Sequence, residues 1–135
     1  MVRKCAGFTL TEVIVTVAIV AIIGVVAVPS YFSYLQESRR AEAHTALLAL
    51  AQAQEQWFIN NNTYTGTVAN LQPLIPAIVN NNIQQGNYAY AITAANNTAF
   101  TLTATAQAGQ AGDTACSTIT LTSAGAQTPA GCWAN

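Results

Sequence analysis

Positive charge is scarce in this sequence of 135 residues. Its four basic residues are Arg3, Lys4, Arg39 and Arg40, and from Ala41 to Asn135 there is no Lys or Arg at all. Gripping nucleic acid takes a basic face that neutralises phosphates, so no direct nucleic-acid partner is expected, although a basic partner subunit could supply that function. Carboxylates are nearly as sparse: Glu12, Glu37, Glu42, Glu55 and Asp113. The residues of catalysis are missing too. There is one histidine, His44, and no G-x-S-x-G, Walker or H-E-x-x-H pattern. No enzyme is therefore expected, and neither a catalytic residue, a cofactor nor a metal site is assigned. Calcium wants several oxygen ligands, usually with more than one carboxylate. The C-terminal region offers Asp113 alone, which reads better as a turn cap. His44 reads as a solvated or subunit-facing helix residue, and Arg39 and Arg40, beside Glu37 and Glu42, as an exposed mixed-charge patch.

Cysteine is scarce and unevenly placed. Cys5 stands alone near the start, while Cys116 and Cys132 lie together near the end. If the first residues are removed, an even pair is left, which suits a disulfide in an oxidising compartment. That bridge would close a loop of about 15 residues, worth roughly 3 kcal/mol in the chain-entropy description.

What the chain does have is a long apolar run. Phe8 to Val28 comprises 21 residues with a single charge, Glu12, and about 20 apolar residues suffice for a helix to cross a bilayer. Arg3 and Lys4 precede the run, so the leader should stay cytoplasmic and the remainder be exported. An ordinary secretory signal would end in a small-residue cleavage site after the apolar run. Here the run continues instead into a stretch rich in Ala, Leu, Gln and Glu, with no Gly or Pro between Pro29 and Phe58. Leu47, Leu50, Ala51, Gln54, Trp57 and Phe58 repeat at helical spacing and form a mostly apolar stripe. A helix over about residues 9–58 would be on the order of 75 Å long. Only its first part can lie in lipid.

Glu12 is the anomaly. A carboxylate inside a spanning segment costs roughly 2.5–3.5 kcal/mol even on lenient insertion scales. Two readings stand side by side. In one, Glu12 sits near a helix N-terminus, where the macrodipole favours it and the interface is within reach. In the other it pairs with a buried positive group, which cutting after Gly7 would create as the α-amine of Phe8.

The segment Gly7-Phe8-Thr9-Leu10-Thr11-Glu12-Val13, followed by the apolar run and by Pro29-Ser30-Tyr31, resembles the processing site of type IV pilins. The end of the chain, with Gln110, Asp113 and Cys116 before a glycine turn and a terminal Cys132-Trp133, resembles the C-terminal module of the PilE-like pilins of Gram-negative bacteria. The resemblance implies that a prepilin peptidase cuts between Gly7 and Phe8 and N-methylates Phe8. It implies filament assembly through the N-terminal helix, with Glu12 neutralising the Phe8 amine of an adjacent subunit. Gly24 and Pro29 match a stretch that can lose regular helix in such filaments; a plain kink or close helix packing is the other reading of both. The partners implied are other pilin subunits, the prepilin peptidase and the inner-membrane pilus assembly platform. The protein would be held in the inner membrane with its globular part in the periplasm, then become part of an extracellular filament that supports adhesion, twitching motility or DNA uptake. A pseudopilin of a type II secretion or competence system is the alternative, and a membrane-anchored binding module is a third from another class.

The fold expected is α+β. A long N-terminal helix, membrane-spanning in its first half, packs on an antiparallel sheet of three to four strands, with a C-terminal disulfide. The expected division is a cleaved leader over 1–7, the span over 8–28, an amphipathic continuation over 29–59, a connection over 60–87, and the sheet with its disulfide over 88–135. Asn60-Asn61-Asn62 should terminate the helix, and Ile75 to Val79 reads as a short helix. Strands are expected at Tyr88–Thr93, Thr98–Ala104 and Cys116–Thr122, with a turn at Asn96-Asn97 and a possible fourth strand around Trp133. One sheet face should be apolar and the other threonine-rich.

Overall fold

A computed structural model describes residues 7–75 and 86–133. The leader up to Ala6, and all but the first residue of the short helix expected at Ile75–Val79, lie outside the described residues. One helix, α1, runs from Leu10 to Asn61 and passes through Pro29 without a break. Thr9 caps its start: the Thr9 hydroxyl accepts the Glu12 amide at 3.3 Å, the Ncap-to-N3 bond of a capping motif. At the other end Asn60 and Asn61 turn their side-chain amides back onto the carbonyls of Gln56 and Trp57. Asn62 then adopts a left-handed φ of 53°, which asparagine tolerates better than most residues. The asparagine run ends the helix as its chemistry predicts.

The chain divides into two compact units, one up to Leu35 and one from Gln36 onward. In the first, the large apolar side chains from Leu10 to Val28 are exposed. In the second, four strands form an antiparallel meander in the order β1-β2-β3-β4: Tyr88–Ala95, Phe100–Ala106, Thr118–Thr122 and Gln127–Thr128. The register sets Tyr90 beside Ala104 beside Ile119, and Ile92 beside Leu102 beside Leu121. These rows make the apolar face. The alternate rows are Ala91, Thr103, Thr120 and Thr128, then Thr101 with Thr122 and Thr105 with Thr118. Side chains alternate between faces with period two, so the threonines gather on the other side. The core joins Ala43, Leu47, Leu50 and Ala53 of α1 to Tyr88, Phe100, Leu102 and Ile119 of the sheet.

Three expectations are corrected in detail. The β1–β2 connection spans residues 96–99 rather than two asparagines, because the Asn96 side chain accepts from the amides of both Thr98 and Ala99 at 2.8 Å. That turn takes up Thr98 and moves β2 to Phe100–Ala106. Cys116 closes a single 3₁₀ turn, Thr114–Cys116, ahead of β3 instead of belonging to the strand. The fourth strand is Gln127–Thr128, formed after a turn in which Gly125 has φ 78°. Trp133 lies instead in a one-turn helix, α2, Ala130–Trp133.

Candidate assembly site

The residues singled out in the sequence fall at the start of α1. Phe8 precedes the helix and is 84% exposed. Glu12 sits in the first turn, where its amide is held by Thr9 and its carbonyl accepts the Thr16 hydroxyl at 2.7 Å. A carboxylate there faces the positive end of the helix dipole. Among the described residues no ion pair to Glu12 is formed. A side chain added at Gly24 would meet nothing within 4 Å, so nothing among the described residues requires glycine there. Pro29 removes the amide that would close onto Val25, yet the helix continues; the Ser30 hydroxyl donates to the Val26 carbonyl at 3.1 Å in the same turn. The first unit is thus a capped apolar rod carrying a single carboxylate. Its described surface can be satisfied by lipid or by other such helices.

A second constellation was not foreseen. Arg40 donates through Nε to Asp113 Oδ2 at 2.6 Å and through Nη2 to Oδ1 at 2.7 Å. The Asp113 side chain is 3% exposed and that of Arg40 25%. Gln110, fully buried, donates to Asp113 Oδ2 at 2.8 Å, to the Gln36 carbonyl and to the Tyr88 hydroxyl. Tyr88 in turn donates to the Cys116 carbonyl at 3.4 Å. Arg39 donates to the Gly109 carbonyl at 3.0 Å. The expected mixed-charge patch therefore does not hold Arg40, which is committed to Asp113. Asp113 does stand at the N-cap of the following 3₁₀ turn, where its backbone carbonyl accepts the Cys116 amide at 3.1 Å, while its side chain is given to Arg40 and Gln110. The Arg40 guanidinium holds the Asp113 carboxyl below the usual carboxylate range.

The disulfide joins Cys116 to Cys132 across 16 positions, as the cysteine count suggested. It ties α2 to the end of the 3₁₀ turn that follows Asp113. Beside it the His44 ring stacks on Trp133 with centroids 4.3 Å apart, so His44 is a packing residue of α1 instead of a solvated one. Burial pushes the His44 imidazole below its ordinary range. One signal could have found the Arg40–Asp113 pair. In a chain with no Lys or Arg after Arg40, a buried Asp113 can find a cationic side chain only at Arg3, Lys4, Arg39, Arg40 or His44.

Two family models match the chain. A family model described as a prokaryotic N-terminal methylation motif matches residues 2–28. A second, described as type IV minor pilin ComP, DNA uptake sequence receptor, matches residues 29–120. The type II secretion system core protein G of Vibrio cholerae is 31% identical over 89 residues, covering 64% of this chain and 61% of that protein. The type IV major pilin protein PilA of Myxococcus xanthus is 34% identical over 59 residues, covering 44% of this chain and 27% of that protein. The chain thus matches less than two thirds of the length of either relative. A solved type IV pilin from Shewanella oneidensis superposes with a TM-score of 0.52 at 24% identity, covering 74% of this chain and 99% of that one. At that identity the likeness concerns the fold.

Proposed function

The chain belongs to the type IV pilin family, matching its ComP minor-pilin branch over residues 29–120, and from that premise we propose that it is a structural subunit of a type IV pilus. A prepilin peptidase removes residues 1–7 and methylates the new amine of Phe8. The subunit waits in the inner membrane with residues 8–28 in the bilayer and its globular part in the periplasm. The assembly platform then moves it into a filament built on the N-terminal helices. Glu12 neutralises the Phe8 amine of a neighbouring subunit, and Gly24 and Pro29 give the helix the local weakness that packing in the filament uses. The observation that carries this reading is the apolar surface of Leu10–Val28, exposed along its length and interrupted by one carboxylate.

Glu12→Ala tests it. A plain membrane anchor gains from losing a buried carboxylate, whereas a subunit that needs Glu12 for docking reaches the membrane and yields no surface pili. Normal piliation of that variant would sink the assembly reading and favour a membrane-anchored binding module. The pseudopilin reading draws on the 31% identity to secretion protein G. It predicts that the subunit stays out of the sheared extracellular fraction even when strongly expressed. Support of adhesion, twitching or DNA uptake is a property of the filament in this reading.

A further inference from the structure

The turn of α1 that follows the apolar run carries three aromatic side chains that the core does not use. Tyr31 and Phe32 are each 60% exposed and Tyr34 is 68% exposed. Tyr31 and Phe32 meet edge to face at 6.3 Å. The serines between and beside them turn inward: Ser30 donates to the Val26 carbonyl at 3.1 Å and Ser33 to the Ser30 carbonyl at 3.0 Å. What this turn shows to its surroundings is therefore aromatic ring and phenol hydroxyl. Such side chains, apolar in body and polar at the tip, collect at the boundary between hydrocarbon and water.

Length places them there. Phe8–Val28 rises about 31 Å as a helix, against a hydrocarbon core of about 30 Å. The next turn, residues 31–34, arrives at the opposite boundary, and the charges of Glu37, Arg39 and Arg40 follow beyond it. The angular spread matters as well. At about 100° per residue, Tyr31, Phe32 and Tyr34 cover roughly 160° of the helix circumference. A single protein-docking seam would gather them on a narrower stripe.

We propose that Tyr31, Phe32 and Tyr34 form an interfacial belt whose partner is the lipid bilayer surface, and that this belt fixes the depth of the helix before assembly. Depth at this end sets where Gly7, Phe8 and Glu12 stand at the other. The inference rests on the reading of Phe8–Val28 as a membrane span, and the experiment keeps the two apart.

The full chain carrying Phe32→Trp is reconstituted into vesicles of phosphatidylethanolamine and phosphatidylglycerol that contain lipids brominated at shallow or deep acyl positions. Trp57 and Trp133 belong to the globular unit, and the unsubstituted chain supplies their background. The new indole should be quenched most by shallow bromines. Adding Tyr31→Leu and Tyr34→Leu lengthens the apolar run and should move the quenching maximum deeper by roughly one helical turn, about 5 Å. If the chain floats with the vesicles but the new indole is unquenched, or the leucine pair leaves the depth profile unchanged, the belt is overturned and the anchor stands. Failure to float with the vesicles overturns the anchor and the belt together.

Discussion

Arg40 and Asp113 stand 73 positions apart and meet as a two-pronged ion pair. Removing one partner leaves the other buried, which is where such pairs make their largest difference to stability. Arg40→Ala should therefore cost about 3 kcal/mol, since Asp113 then lies buried without its counter-charge. Arg39→Ala loses one bond to the Gly109 carbonyl and should cost under about 1 kcal/mol. Denaturant unfolding of the two variants side by side checks the difference; equal losses would refute the ranking. Acid acts on the same residues. Asp113 has its folded pKa lowered by Arg40, and His44 has its folded pKa lowered by burial. In both cases the native state binds its proton more weakly than the unfolded chain, so their contributions are present at higher pH and lost on acidification. Stability should decline as pH falls below 6.5, the ordinary imidazole value, and decline again below 3.8, the ordinary carboxylate value. A pH series of unfolding midpoints should show the first step disappear in His44→Phe, which keeps the stacked ring, while the second remains.

At the scale of elements, the second half of α1 and the sheet share one core. The stripe of Leu47, Leu50, Gln54 and Trp57 was legible because helical spacing alone selects the face that can be buried. Within it Gln54 is a clamp as well as a filler: it donates to the Thr65 carbonyl at 2.7 Å and accepts the Thr65 amide at 3.1 Å. Both backbone groups of Thr65 are thereby satisfied where the chain leaves the helix. The strands were legible from alternation, and their ends were not. Asn96 spends its side chain on a four-residue turn, and no apolar pattern records that choice. The disulfide holds α2, a single turn that could not persist as an isolated helix. Replacing both Cys116 and Cys132 by Ser should lower stability by about 3 kcal/mol through the loop between them, read as a shift of the denaturation midpoint. A midpoint that does not move would mean that the His44–Trp133 stack and α2 hold the C-terminus without the bond.

On the scale of the whole molecule, charge placement governs what the surface can meet. From Gln56 to Asn135 the sequence holds one charged side chain, Asp113, and it is buried against Arg40. Such a surface has little with which to hold phosphates, although the matching family is described as a DNA uptake sequence receptor. We expect the purified, leader-free protein to leave duplex DNA unshifted in a mobility assay even at low salt, where any phosphate contact is strongest. A salt-sensitive complex would refute this and point to phosphate contacts made by Arg39 or Arg40, the bases that remain once residues 1–7 are removed. If the DNA stays unshifted, any role in DNA uptake rests on a basic partner subunit.

Composition and periodicity by themselves determined the long apolar run, the anomalous Glu12, the helix length and its asparagine stop, the buried stripe and the two-faced sheet. These follow from local rules: helical spacing and strand alternation leave few other ways to bury this chain. Tertiary structure alone decided which base Asp113 meets, where Trp133 rests, and that His44 packs instead of facing water. Those are contacts between residues 73 to 89 positions apart. No local pattern encodes them, because they depend on how the end of the sheet folds back onto the helix.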